Sequence, residues 1–150
     1  MNKDKISPPK FFTPTEEEAI KAAITRAEML TSGEIGLYID DYCEIDSLKK
    51  AAEIFQKLEM HKTKLRGGVL IYLSFCDHKF AIIGDKRIHE KVGDEFWVEV
   101  KEIMLGFFKK NQLVEGLIAG IEKAGEALMA EFPRQEDDID EISNEINYKS

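Results

Sequence analysis

The 150-residue chain holds only two cysteines, three histidines, four prolines and one tryptophan, and most of these scarcities remove a class of protein. Cys43 and Cys76 belong to no Cys-x-x-Cys pair, so reduced thiols are expected rather than a disulfide framework or a thiolate metal centre. His61, His78 and His89 lack the i, i+4 spacing of a helical zinc site and are expected at the surface. No apolar run approaches the roughly 20 residues that cross a bilayer. Residues 1–9 lack the apolar segment of a secretory leader, so a cytoplasmic protein without direct membrane insertion is expected. Lys and Arg together number 21 against 29 Asp and Glu, for a net charge of −8. Without a clustered basic face, nucleic acid is not an expected partner.

What is present fits one domain. The 43% hydrophobic and 33% charged content is that of an ordinary globular protein. Residues 1–12 are expected to form a flexible arm, 13–133 the folded domain, and 134–150 a mobile acidic tail. The stretch 135–150 alone carries a net charge of −5, which leaves −3 for the rest. Its Asp138-x-Asp140 only superficially resembles an EF-hand loop, because Ser143 stands where the glycine is required. Ile139, Ile142 and Ile146 are spaced to make a small amphipathic helix able to dock transiently. A monomer is expected.

Thr13-Pro14-Thr15-Glu16 spells a capping box, and Ile20, Ala23, Ile24, Ala27 and Leu30 recur behind it at helical spacing. Thr31-Ser32-Gly33 ends that helix, with the glycine expected to supply a left-handed residue. Ile35, Leu37 and Ile39 then alternate as a strand. Asp46 caps a second helix bearing Leu48, Ala51, Ala52, Phe55 and Leu58. Val69–Leu73 and Phe80–Ile83 are apolar on both faces, as strands covered from both sides are, and the polar turn at 76–79 makes them an antiparallel pair. A short helical turn after Asp85, a long helix capped by Asp94, and a last helix ending at Phe132-Pro133 complete the order. Gly36, Gly68 and Gly84 sit in strands, where close packing is their expected role.

This order predicts a three-layer α/β/α sandwich around a small mixed sheet, its first two strands parallel through a helical crossover. Glu34, Arg66-Gly67-Gly68 and Gly84-Asp85 then meet at one sheet edge, with Asp94 near enough in sequence to join them. Asp40, Asp41, Cys76, Asp77 and His78 lie at the other, where ordinary turn chemistry accounts for the acids. For Glu34, Asp85 and Asp94 two readings stand. They are oxygen ligands for a hard cation, or Asp85 and Asp94 are helix caps and Glu34 faces solvent.

Thr31-Ser32-Gly33-Glu34-Ile35, Arg66-x-Gly68-Val69-Leu70-Ile71-Tyr72, Asp77-His78-Lys79-Phe80-Ala81-Ile82-Ile83-Gly84-Asp85 and Asp94-x-Phe96-Trp97 occur in an order that resembles the TPM domain family, over roughly residues 11–133. That family includes a plant thylakoid-lumen protein linked to acid phosphatase activity and photosystem II repair, and many bacterial proteins. This chain is similar to its small soluble bacterial branch, in which calcium binding has been described. The resemblance implies an acidic cation site of Glu34, Asp85 and Asp94 that takes calcium, with magnesium or another divalent ion as substitutes. The chain departs from the pattern at Gly67, where Asn is common, and at Arg87, where Gly is common.

A weak metal-dependent phosphatase is the competing expectation, with Arg66 meeting the phosphate. No Cys-x5-Arg loop or phosphate-cradling Walker loop supports it, and Asp138-x-Asp140 in the acidic tail is not read as an Asp-x-Asp nucleophile. A protein-interaction module that uses the acidic cleft or the tail is the third.

Overall fold

The structure, a computed structural model, describes residues 11–63, 66–135 and 145–149. Most of the expected arm, Lys64, and the tail's Asp138-x-Asp140, Ile139 and Ile142 lie outside the described residues. The elements are α1 (Pro14–Glu28), β1 (Glu34–Asp40), α2 (Ser47–Lys57), a 3-10 turn (Met60–Lys62), β2 (Gly68–Ser74), β3 (Lys79–Gly84), α3 (Lys86–Phe108), α4 (Leu113–Glu131) and β4 (Asn147–Tyr148).

Among the described residues, four strands form one mixed sheet in the order β3-β2-β1-β4. β1 and β2 are parallel, with Glu34 opposite Gly68 and Asp40 opposite Ser74. β2 and β3 are antiparallel, with Val69 opposite Gly84. Side chains alternate between two cores. Ile35, Leu37, Ile39, Val69, Ile71, Leu73, Phe80 and Ile82 join α1, α3 and α4 on one face. Tyr38, Leu70, Tyr72 and Ala81 meet α2 and Met60 on the other. The sheet is thus covered on both faces, which is why its central strands read as unbroken apolar runs.

Local signals act as expected at several points. Thr13 accepts from the Glu16 N–H at 3.1 Å while Glu16 accepts from the Thr13 N–H at 2.9 Å, closing the capping box. Asp46 and Asp85 cap α2 and α3. Helical geometry breaks inside α3 at Gly93, whose φ of 80° separates a short first segment from the long one that begins at Asp94.

Four expectations are corrected. Gly33 is not left-handed; the positive-φ glycine among the described residues is Gly93. Gly33 is small because an added Cβ would lie 2.7 Å from a Leu128 methyl and 3.1 Å from the Gly67 carbonyl. Leu30 and Leu48, at the ends of their helical stripes, are exposed. The packed domain begins before residue 13: Phe12 is buried, and Phe11 stacks on Phe75 with centroids 4.5 Å apart. Residues 145–149 lie against the domain, and β4 pairs in parallel with Tyr38 and Ile39 of β1.

Candidate functional site

The strand ends that sequence reasoning brought together do meet. The Glu34 N–H donates to the Gly67 carbonyl at 3.3 Å, the Asp85 N–H to Gly68 at 2.7 Å and the Arg87 N–H to Arg66 at 3.2 Å. Asp85 is therefore fixed by three things at once: the end of β3, its bond to β2 and its place at the head of α3. Its carboxylate is 5% exposed and accepts three N–H groups. Lys86 N–H reaches Oδ1 at 2.7 Å, while Arg66 grips both oxygens, Nε to Oδ2 at 2.7 Å and Nη2 to Oδ1 at 2.8 Å. This planar two-point grip is the strong form of an arginine–carboxylate pair. Arg66 holds it from a left-handed backbone, φ 53°, which costs a non-glycine residue about 1 kcal/mol or more.

Glu34 opens β1 beside Gly68 and is buried. Asp94 takes a different position. Its side chain is 91% exposed, and Oδ1 lies 3.3 Å from His89 Nε2. His89 Nδ1 in turn accepts the Trp97 indole N–H at 3.0 Å. That arrangement puts the proton of a neutral His89 on Nε2, facing Asp94. The trio borders a largely apolar groove of about 550 Å³ between α2 and α3, floored by Ile82, Ile83 and Gly84.

Whether these residues suit a calcium ion can be judged from their present engagements. Glu34 and Asp85 share an edge, and main-chain carbonyls lie beside them, but Asp94 faces His89. Among the described residues no three His, Cys, Asp or Glu side chains are grouped to hold a metal ion. A divalent ion would reach Asp85 only in exchange for the two Arg66 bonds.

The opposite edge holds a second cluster. Phe75 and Cys76 N–H groups donate to the Asp40 and Asp41 carbonyls at 2.9 and 2.8 Å, binding the β2–β3 turn to the end of β1. Asp77 accepts from the Cys43 N–H at 3.0 Å and from the Ser74 hydroxyl, and the hydroxyl, followed by the Cys43 N–H, pulls its carboxyl below the usual range. This is the turn chemistry foreseen for Asp77. Asp40 is buried and accepts the Tyr72 hydroxyl at 2.8 Å and the Asp41 N–H at 3.0 Å. Burial, and then bonds with Cys43 and Asp40, push the Tyr72 hydroxyl far above its ordinary value.

Lys149 completes this cluster, with Nζ 3.0 Å from Asp41 Oδ1 and 3.7 Å from Asp40 Oδ1. Its ammonium is the largest influence holding the Asp41 carboxyl down at about 2, followed by the Tyr42 N–H. These groups border a polar cleft of about 660 Å³ with Tyr38, Lys50, Glu53 and Lys57. Sequence reasoning missed Lys149 and the Tyr72–Asp40 bond. The alternation of Ile146, Asn147 and Tyr148 was the available signal for a strand, and the acidic composition around it hid it. Glu28 was also missed. Buried at the end of α1, it accepts the Ile35 N–H at 2.7 Å and ties that helix to the start of β1.

Comparison with known proteins identifies relatives of the fold. The TPM domain model matches residues 7–127. The chain is similar to the solution structure of BA42 protein from the psychrophilic bacterium Bizionia argentinensis, at 44% identity over 93% of this chain and 97% of that one, with a TM-score of 0.86. It shares its fold, at 12% identity and a TM-score of 0.62 over 79% of this chain and 74% of that one, with the N-terminal domain of cg2496 protein from Corynebacterium glutamicum. No curated protein matches. With the family's domain spanning most of its length and a solved relative at this identity, the chain belongs to the TPM domain family.

Proposed function

We propose that this TPM domain binds a hard divalent cation, calcium foremost, at the edge where β1, β2 and β3 meet. Asp85 would be its central ligand, Glu34 its neighbour and Asp94 an outer carboxylate. One observation carries the reading: the edge already holds a cation. Arg66 lies in two-point contact on a carboxylate that the fold has buried and aimed, from a strained backbone position. Calcium accepts six to eight oxygens in loose geometry, so two carboxylates, main-chain carbonyls and water would suffice once Arg66 turns outward. Arg66, 41% exposed, has water on its outer side to turn into.

Phosphatase chemistry is less well supported by the same observation. An arginine that is to stabilise charge on phosphate must offer its charge to it, and here the Nε–Nη2 edge of Arg66 lies on Asp85, whose carboxylate already offsets that charge.

Calcium titration of the isotope-labelled chain, followed by amide NMR shifts, tests the proposal. Saturable shifts should centre on Glu34, Gly68 and Asp85. Arg66→Gln should tighten binding, because the ion no longer competes with a guanidinium, and Asp85→Asn should abolish it. Shifts absent from this edge in both the parent and Arg66→Gln would remove the site.

A further inference from the structure

We propose that the outer edge of β1 is a strand-addition site for an extended partner peptide of the pattern apolar-x-aromatic-lysine, and that the chain's own residues 146–149 fill it in cis.

The contacts of residues 145–149 are those of a peptide read by a sheet edge. The backbone runs parallel to β1, and the Lys149 N–H donates to the Ile39 carbonyl at 3.0 Å. Side chains then enter separate sockets at alternate positions, as a strand requires. Ile146 is buried in the main core, and Tyr148 packs against the same core, its hydroxyl 2.6 Å from Glu17 of α1. Asn147 Nδ2 donates to the Leu37 carbonyl at 3.2 Å. Lys149 reaches Asp41 and Asp40. Strand addition divides its work in this way, main-chain bonds supplying affinity and alternate pockets specificity.

The sockets belong to the domain and not to the segment. Asp40 is oriented by Tyr72 from below and Glu17 stands in the first turn of α1, so both carboxylates keep their places when the segment leaves. An open β1 edge would then present main-chain donors and acceptors, an apolar hole and two acidic positions at fixed spacing. That combination selects a peptide over a bare metal ion, because an ion uses neither the hole nor the ladder.

The cis contact is also small enough to be exchanged. Only Asn147 and Tyr148 pair as strand residues, and Lys149 is 53% exposed. Short edge contacts of this kind open at far lower cost than a core strand. What favours the cis segment is tethering, which gives it an effective concentration on the order of millimolar. A partner peptide of the same pattern competes by adding contacts beyond Ile146 or Lys149, or by acting when the cis segment is weakened.

The test uses the full chain carrying Lys149→Glu, a substitution at a half-exposed position, and a synthetic peptide with the sequence of residues 144–150. Titrating the peptide into the labelled variant should move the Leu37, Ile39 and Asp41 amides saturably toward their parent positions. At least tenfold weaker binding is expected to the parent chain, and none from a peptide with glutamate in place of the lysine. In the parent chain, the Lys149 amide should exchange with solvent well before that of Ile71 in β2. Equal protection of Lys149 and Ile71, or no saturable shift along β1 in the variant, overturns the proposal. Concentration-dependent dimers that exchange these segments would make a second copy the occupant and overturn the assignment to a partner peptide.

Discussion

Replacing Arg66 by Gln tests the bond on which the candidate cation site turns. The substitution removes two charge-assisted hydrogen bonds, at 2.7 and 2.8 Å, from a carboxylate that is 5% exposed. Each such bond contributes about 1.5–3 kcal/mol net when shielded, but Arg66 is itself 41% exposed and partly screened by water. Asp85 also keeps its Lys86 N–H partner. The loss should therefore be about 2 kcal/mol rather than the roughly 3–5 kcal/mol of a fully buried broken pair. With a urea slope of about 2 kcal/mol per molar, the unfolding midpoint followed by far-ultraviolet circular dichroism should fall by about 1 M. Asp85→Asn should cost a similar amount, and the double variant less than the sum, with a coupling of about 1 kcal/mol or more. Additive effects, or an Arg66→Gln midpoint within about 0.2 M of the parent, would show that the pair contributes little and that Arg66 does not guard Asp85.

Two glycines should respond oppositely to alanine. At Gly84 a Cβ would fall 2.5 Å from the Trp97 ring and 2.9 Å from Ile88, so Gly84→Ala should destabilise by roughly 1–3 kcal/mol. Gly106, within α3, has nothing within 4 Å of a Cβ, so Gly106→Ala should raise stability by about 0.5–1 kcal/mol; thermal unfolding of the two variants separates them. Docking of residues 145–149 should weaken at both extremes of pH. Asp41 is depressed to about 2 from 3.8, so its contribution is whole above the free value and is lost as pH falls through the docked one. Lys149 is raised, chiefly by Asp41, so its contribution is whole below 10.5 and is lost as pH rises through the higher docked value; the Lys149 and Ile39 amide shifts report both limbs. A thiol reagent should modify the exposed Cys76 and spare the buried Cys43 in the native chain, and equal rates would contradict the packing beneath the β2–β3 turn.

Much of the framework could be read from residues because local signals and burial agree. The capping box at Thr13, the doubly apolar β2 and β3, and the parallel β1–β2 pair needed only periodicity and the crossover rule. The break ahead of the long segment of α3 was legible, but not its chemistry: Gly93 makes it, and Asp94, expected as the cap, turns its carboxylate to His89 instead. What escaped was set by side-chain direction and by partners distant in sequence. Nothing in Arg66-Gly67-Gly68 says that the guanidinium folds inward onto Asp85 rather than outward toward an anion. Gly33 followed the usual pattern of a helix end, yet its smallness answers Leu128, nearly a hundred positions away. Leu30 and Leu48 continue their helical stripes past the point where the sheet is there to cover them. Lys149 lay in a stretch whose acidity outweighed its alternation, and its partners Asp40 and Asp41 are set in place by a different part of the chain.

The ring of Trp97 gives the molecule an optical gauge of its own. Trp97 is the sole indole, and its N–H rests on the Nδ1 lone pair of His89. The same ring lies against Gly84, the last residue of β3 before Asp85. A disturbance of the strand end that delivers Asp85 must therefore reach this ring, and the emission of a single side chain reads it without a label.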